Sequence, residues 1–373
     1  NEMKDQMTTI ERKQDRMQHS VDEMKQQFEN MMKMFNQVLH GSNLNNNGAQ
    51  ANDPKIFVNN QDIIILGGWK DRQLGNVSNT VEKFNIAEGT STELPRMNKP
   101  RVESAACVHN GDVMVTAGFD GQDGTDSIEI LKMIQPSLQW TMFNGQLPVK
   151  LSAHVSIIYQ NKLYVIGGKK WNEEEVSDII YELDLSPPYA AKIQAKMPPA
   201  KIKASEKEKH QGGRRNHRAE IVNGRLFILG GTTTGYFENA IDSVVVYDFI
   251  TNEIKQCPSL PKPVFNMSTV TWGNTIIVVG GQDKNGWVLN DVIKYDTETG
   301  RSERLPSLKH KRRGSSAVII DDVIVVFGGS NNEQEPLNSI ESFTIGSDGW
   351  KELPGMKEKR EFATAVVIPQ YRE

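Results

Sequence analysis

The sequence is poor in cysteine, with only Cys107 and Cys257 among 373 residues. Two thiols supply neither a disulfide framework nor a structural zinc site, so we expect a reducing compartment and a cytoplasmic protein. Long apolar runs are also lacking, because no stretch approaches the roughly 18 residues that a membrane-spanning helix needs. Neither sign of charge dominates, since 43 Lys and Arg stand against 47 Asp and Glu. This balance argues against general nucleic-acid binding.

Sequence motifs of common catalytic sites are lacking as well. No stretch matches the phosphate-binding pattern G-x-x-x-x-G-K-[ST]. The seven histidines do not cluster at the spacing of metal ligands, and no Ser/His/Asp arrangement stands out. The sequence therefore predicts a chain that is not an enzyme and that holds no metal and no cofactor.

Residues 1–40 are predicted to form a coiled-coil helix. Apolar residues recur there at alternating spacings of four and three, with Gln14 as the one polar position and without Gly or Pro. A stripe this narrow is typical of a coiled coil, although a helix packed against the next domain is the alternative. We expect a homo-oligomer through residues 3–38, with dimer and trimer both open. Residues 41–53 are polar and rich in Asn and Gly, which predicts a flexible linker.

Short apolar runs that end on glycine recur through residues 54–373. The repeat length is about 50 residues, apart from one longer interval that carries an insertion near residues 200–212. Each run follows another strand and a tight turn, such as Asn110-Gly111 or Asn223-Gly224. A bulky strand residue and a Leu/Pro segment come after it, so each unit contains four short strands. The bulky residues are Phe84, Leu131, Tyr181, Tyr247, Tyr295 and Phe343. The glycines are predicted to be structural, and they are Gly67, Gly68, Gly118, Gly167, Gly168, Gly230, Gly231, Gly280, Gly281, Gly328 and Gly329.

Paired glycines, a downstream Tyr and a later Trp at this period resemble the kelch-repeat family. The resemblance covers residues 54–373 and implies an all-β fold, a six-bladed β-propeller of four-stranded antiparallel blades. Two features depart from the pattern. The second unit has Ala117 before Gly118, and the late Trp is present only as Trp140 and Trp350.

The first strand of the repeat occurs seven times for six blades. Residues 360–369 match the internal copies, whereas the N-terminal copy contains Pro54, which cannot donate a hydrogen bond to a neighbouring strand. We therefore predict that the C-terminal copy supplies the inner strand of the first blade, and that Ile56–Val58 form only an accessory pairing.

One face of the propeller is the expected binding site. We use the term loop face for the side that carries the loops between blades and the loops after the glycine runs. Arg and aromatic residues, which are enriched in binding hot spots, concentrate in these loops. They predict a site for a protein or peptide that is acidic or phosphorylated, with solvated loops of no binding role as the alternative. The candidate residues are Arg101, Arg214, Arg312, Arg360, Trp69, Phe119, Trp171, Tyr236 and Trp287.

Three functions are compatible with this organisation. A coiled coil before a propeller resembles the end of RING/B-box/coiled-coil proteins, which implies the substrate-recognition part of a ubiquitin ligase. A cytoskeletal scaffold that binds actin is the alternative. Kelch-like enzymes, such as a sialic-acid mutarotase or a copper oxidase, are a third and disfavoured possibility. Nucleic acid is not an expected partner, because Glu206 and Glu208 interrupt the basic insertion.

Overall fold

The computed structural model describes residues 62–71, 76–133, 138–171, 173, 175–199, 212–333 and 335–368. All of them lie within the unit Val58–Glu373. The predicted coiled coil, the linker and the accessory pairing of Ile56–Val58 fall outside the described residues and stay predictions. Among the described residues, no helix is long and apolar enough to cross a membrane.

The strands of this part of the chain form six blades of four antiparallel strands each. The strands of blades 1 and 2 are β1 (Asp62–Leu66), β2 (Val81–Asn85), β3 (Thr90–Leu94), β4 (Ala105–His109), β5 (Asp112–Thr116), β6 (Ile128–Leu131) and β7 (Trp140–Met142). Blade 3 and a short pair beside it contain β8 (Leu151–Ser152), β9 (Val155–Tyr159), β10 (Lys162–Ile166), β11 (Lys169–Lys170), β12 (Ile179–Asp184) and β13 (Ala191–Lys196). Blade 4 contains β14 (Arg218–Val222), β15 (Arg225–Leu229), β16 (Val244–Asp248) and β17 (Ile254–Cys257), with a 3-10 turn at Phe237–Asn239. Blades 5 and 6 contain β18 (Ser268–Trp272), β19 (Thr275–Val279), β20 (Val292–Asp296), β21 (Ser302–Leu305), β22 (Ser316–Ile320), β23 (Val323–Phe327), β24 (Ile340–Thr344) and β25 (Lys351–Leu353), and the last strand is β26 (Thr364–Val367).

The C-terminal strand closes the ring, as predicted. β26 pairs antiparallel with β1, with Leu66 opposite Thr364 and Ile63 opposite Val367. Blade 1 therefore has the order β26-β1-β2-β3. The six inner strands β26, β4, β9, β14, β18 and β22 each contact the inner strands of both neighbouring blades, which encloses a central channel.

The apolar runs are the second strands of the blades. Ile63, Ile64, Ile65 and Leu66 of β1 are all fully buried, because neighbouring blades cover both faces of a central strand. Six apolar clusters result, one at each interface between adjacent blades.

The glycine at the end of each run lies where the chain turns away from the crowded inner part of the blade. The second position of the doublet has φ between +88° and +100° in all six blades, a conformation that residues with a Cβ avoid. A Cβ added to Gly281 would lie 2.8 Å from the carbonyl oxygen of Phe265. The Gly281 N–H donates to the carbonyl of Arg312 at 2.7 Å. The doublet thus forms a hydrogen bond with the linker that leads to the next blade.

Candidate functional site

The candidate site is the loop face, which carries the linkers between blades and the loops between the second and third strands. The first strand of each blade starts at this face and the second strand ends there, so both sets of loops meet. This arrangement agrees with the sequence-based expectation. The candidate residues, however, divide into a buried set and a set that reaches the surface.

The four candidate arginines are not on the surface. The exposed fractions of Arg101, Arg214, Arg312 and Arg360 are 0%, 0%, 0% and 1%. This corrects the expectation that they contact a partner. Arginine belongs there because a guanidinium can reach several acceptors of the following blade at once.

Three of the arginines join one blade to the next through a buried carboxylate. Arg312 lies in the linker from blade 5 to blade 6, and its Nε and Nη2 donate to Oε1 of Glu341 in blade 6 at 3.0 and 2.8 Å. Its Nη1 donates to the carbonyls of Gly328 and Ser339. Arg101 bonds Glu129 and Arg360 bonds Glu82 in the same way. Burial lowers the pKa of Arg312, and the charge of Glu341 opposes that shift.

Each of these carboxylates also accepts backbone N–H groups from the linker. Glu341 accepts from the N–H of Lys309 at 2.7 Å and of His310 at 3.2 Å. The same linker position is proline where the carboxylate is replaced by an apolar residue. The carboxylate–linker pairs are Glu82–Lys357, Glu129–Asn98 and Glu341–Lys309, and their apolar counterparts are Tyr181–Pro148, Val245–Pro198 and Ile293–Pro261.

Arg214 differs from the other three arginines because no carboxylate of the described residues lies opposite it. Its guanidinium lies in blade 4, where Val245 occupies the position of the glutamate. It donates to the carbonyls of Gly230 and Ser243 at 3.3 Å each and to the Ser243 hydroxyl at 3.1 Å. Its Nε has no hydrogen-bond partner among the described residues. Burial lowers the pKa of Arg214 to about 10, since no carboxylate offsets the desolvation of the guanidinium.

A closed ring of six backbone hydrogen bonds surrounds the channel at the loop face. One residue per blade takes part, and its N–H donates to the carbonyl of its counterpart in the preceding blade at 2.7–3.3 Å. All six residues have φ between +53° and +59°. The ring links the blades at the point where their inner strands begin. Its members are Glu103, Ala153, Asn216, Asn266, Gly314 and Phe362.

The aromatic candidates form two separate groups. Trp69, Phe119 and Trp171 make a half-buried row across the loops of blades 1, 2 and 3. Phe119 and Trp171 stack at 4.6 Å with an interplanar angle of 5°, and Trp69 lies 6.1 Å from Phe119. The ammonium of Lys169 lies 4.1 Å from the centre of the Trp171 ring. The row packs against Gly124, where an added Cβ would lie 2.1 Å from Trp171 Cδ1.

The second group is exposed and spans the loops of blades 4 and 5. Tyr236 is 72% exposed, Trp287 is 62% exposed and Phe237 is 40% exposed. Phe237 reaches the loop of blade 5, where a Cβ on Gly286 would lie 3.6 Å from its ring. We call Tyr236, Phe237 and Trp287 the aromatic patch. All three residues lie in loops that the sequence indicated, and Phe237 links the loop of Tyr236 to that of Trp287.

Charged groups of both signs surround the channel at the loop face. Arg215 pairs with Glu103 at 3.4 Å, and Arg313 pairs with Glu361 at 3.4 Å. Lys284 and Lys311 are exposed, and no carboxylate of the described residues lies within ion-pairing distance of them. The face therefore has a mixed charge with lysines available near the aromatic patch.

In the described ranges, no group of three or more His, Cys, Asp or Glu side chains is arranged to hold a metal ion. Both cysteines are reduced. Burial raises the pKa of Cys107 to about 12, and burial also raises that of Cys257. Neither thiol has the lowered pKa of a reactive cysteine.

Comparison with known proteins agrees with this architecture. Residues 201–371 match the KLHDC2/KLHL20/DRC7 kelch-repeats domain. Residues 201–371 are thus similar to a kelch-repeat domain, and the described strands form a six-bladed β-propeller. Over 73% of its length it superimposes on 88% of the solved structure of YjhT, with a TM-score of 0.60 and 16% identity. That likeness concerns the fold alone.

Curated relatives include proteins from several animals. The spermatocyte protein spe-26 of Caenorhabditis elegans is 23% identical over 59% of this chain and 36% of its own length. Kelch-like protein 40 of Xenopus laevis is 24% identical over 50% of this chain and 28% of its own length. Alpha-scruin of Limulus polyphemus is 23% identical over 48% of this chain and 19% of its own length. The chain therefore spans little more than a third of the relatives it matches, or less.

Proposed function

We propose that this chain is a non-catalytic protein-interaction module whose loop face binds a segment of a partner protein. The observation that carries the proposal is the aromatic patch. Large aromatic side chains exposed to this extent lose unfavourable contact with water when a partner covers them. Tyr and Trp are also the residue types that dominate binding energy in protein interfaces.

The lysines near the patch indicate the chemistry of the partner. Lys284 lies in the same loop as Trp287, and Lys311 lies in the linker to blade 6. Both ammonium groups lack a carboxylate among the described residues, so an acidic or phosphorylated segment would supply one. We propose a segment that places an apolar side chain on the aromatic patch and an acidic group beside these lysines.

Capture of partners by the full chain tests the proposal. We would compare the wild type with a Tyr236→Ser/Trp287→Ser variant by affinity capture and quantitative mass spectrometry. Ile250→Ser is the matched control, because Ile250 is 90% exposed in the hairpin at the opposite side of blade 4. We expect partners to be lost from the patch variant and retained by the control. Identical partner sets for all three proteins would contradict the proposal.

Charge reversal separates the acidic partner from a purely apolar one. Lys284→Glu/Lys311→Glu should weaken capture of the same partners, and added salt should weaken wild-type capture in parallel. Unchanged capture would show that the partner is not recognised by its charge.

Two cellular roles follow from the sequence-based expectations and stay proposals. As the substrate-recognition end of a ubiquitin ligase, the propeller would select a protein for modification. As an actin-binding scaffold, several propellers would be joined through residues 1–40, and their weak sites would gain avidity. Co-sedimentation with F-actin that depends on residues 1–40 would favour the scaffold. Ubiquitylation of a captured partner that the patch variant no longer supports would favour the ligase role.

A further inference from the structure

The central channel contains a cavity of about 490 Å³. The inner strands line it mainly with small residues such as Ala105, Ser316 and Ala365. Two charged residues, Arg218 and Glu220, also line it, and both lie on β14 of blade 4. They are two residues apart on one strand, so their side chains point to the same face of the blade, with Cα atoms about 7 Å apart. Both are partly accessible to water.

The repeat itself shows that these charges are not required by the fold. The position of Arg218 is occupied in the other blades by small or apolar residues, namely Thr364, Ala105, Val155, Ser268 and Ser316. The position of Glu220 is occupied by Val366, Cys107, Ile157, Val270 and Val318. A local departure from a repeated pattern is typical of a functional site.

The neighbouring blade is adapted to the carboxylate. Glu220 accepts hydrogen bonds from the hydroxyls of Thr269 at 2.7 Å and Thr271 at 3.0 Å. Thr271 itself replaces a residue that is Val or Ile in the other five blades. The carboxylate is thus fixed at the channel wall, while burial raises its pKa and the two threonines oppose that shift.

The guanidinium of Arg218 feels the charge of Glu220, which opposes the lowering of its pKa by burial, but it makes no close ion pair with that carboxylate. Its one hydrogen bond within the described part of the chain runs from Nη1 to the carbonyl of His217 at 3.3 Å. No carboxylate of the described residues lies within ion-pairing distance of it. Three buried polar atoms that have no partner among the described residues lie on residues lining the same end of the channel. They are Ser104 Oγ, His154 Nδ1 and Asn266 Oδ1.

We propose that the channel binds a small zwitterion of the amino-acid class, with its carboxylate on Arg218 and its ammonium on Glu220. A guanidinium is suited to a carboxylate because it presents two parallel N–H donors, and the fixed carboxylate of Glu220 is suited to an ammonium group. The unpartnered polar atoms provide further hydrogen bonds at the Arg218 end. This site is independent of the loop face and of any protein partner bound there.

The probes are the common L-amino acids and 4-aminobutyrate, added to the full chain. Binding is measured as a rise in melting temperature, which a ligand specific for the folded state produces, and as heat in titration calorimetry. N-acetylalanine, which lacks the ammonium, and alaninamide, which lacks the carboxylate, are the matched control ligands for alanine. We expect at least one zwitterion to raise the melting temperature by several degrees and both single-charge controls to be at least about tenfold weaker.

Two substitutions copy residues that other blades already use. Arg218→Ala reproduces Ala105 of blade 2, and Glu220→Val reproduces Val270 of blade 5. Each should weaken binding of the active zwitterion by about tenfold or more, and the ligand-induced shift of each variant is measured against its own melting temperature without ligand. Arg218→Lys keeps the positive charge and serves as a second variant if Arg218→Ala is poorly folded.

Lys255→Ala on the outer strand, 70% exposed at its side chain, is the control that should bind as the wild type does. The proposal is overturned if no zwitterion shifts the melting temperature, if the single-charge controls bind equally well, or if binding survives in both channel variants.

Discussion

The buried pair Arg312–Glu341 allows a direct test of how the blades are joined. Both side chains are fully buried, and the guanidinium also donates to two carbonyls and to the hydroxyl of Ser339. Arg312→Val would leave the carboxylate of Glu341 in the interior without its cation. Removal of one partner of a buried ion pair costs about 3–5 kcal/mol of unfolding free energy, and we expect a loss in that range.

Blade 5 shows how the same place is filled without charges. Pro261, Val264 and Ile293 occupy the positions of Lys309, Arg312 and Glu341. The triple variant Lys309→Pro/Arg312→Val/Glu341→Ile therefore removes the cation, the carboxylate and the linker N–H group together. Replacement of a whole buried pair by apolar residues of similar volume is often neutral, so we expect the triple variant to recover to within about 1 kcal/mol of the wild type.

The single variant Glu341→Ile should lie between these two. It leaves an arginine without a carboxylate, which is the arrangement that Arg214 already has in blade 4. Urea unfolding of the full chain, followed by both tryptophan fluorescence and circular dichroism, measures the three free energies where the two transitions coincide. If the triple variant were as unstable as Arg312→Val, the unpaired charge would not be the origin of the loss.

Three further predictions use the repeat as its own control. Val245→Glu should cost much less unfolding free energy in the wild type than in an Arg214→Leu background, with a coupling of about 2 kcal/mol or more by double-mutant cycle; additive effects would contradict it. The buried His217 has a pKa far below 6.5, first because of desolvation and then because of Arg214. On acidification the unfolded chain protonates this histidine, whereas the folded chain does not. The free energy of unfolding therefore has its full value above pH 6.5 and decreases by about 1.4 kcal/mol for each pH unit below 6.5. His217→Met, which copies blade 5, should reduce the acid slope by that amount in urea titrations at pH 5–8, and an unchanged slope would exclude this histidine. Gly329→Ala should lower the melting temperature more than Gly328→Ala, because blade 2 already tolerates alanine at the first doublet position; equal shifts would contradict this.

The repeated apolar runs were sufficient to predict the six blades and the C-terminal closing strand. The run at Ile63–Leu66 is buried on both faces, and Thr364 lies opposite Leu66 as the register of the repeats indicates. The register of blade 3 was partly wrong. Tyr181 lies at the position of Glu129 and not at that of Leu131, because the loop between the second and third strands is two residues longer in blade 3 than in blade 2. A difference in loop length of this kind shifts the register without changing the apolar pattern of the strand.

The binding face was predicted less well than the fold. Basic residues in loops suggested an exposed surface, but Arg101, Arg312 and Arg360 point inward to a carboxylate on the next blade. Glu82, Glu129 and Glu341 were missed, although the sequence contains a signal for them. Blades with a glutamate at this position of the third strand have no proline at the corresponding linker position, and blades without that glutamate have one. Arg218 and Glu220 were missed as well, and their departure from the small residues of the other inner strands would have indicated them.

The closure of blade 1 has a consequence for synthesis of the chain. Leu66 and Thr364 are about 300 residues apart in sequence, and contacts of such separation form late in folding. Until β26 has left the ribosome, the edge of β1 remains unpaired, and Ile63–Leu66 offer the kind of apolar strand edge that promotes association between chains. Completion of the ring must therefore follow translation of nearly the whole propeller, and a ribosome that stalls before Thr364 would release a chain that is prone to aggregate.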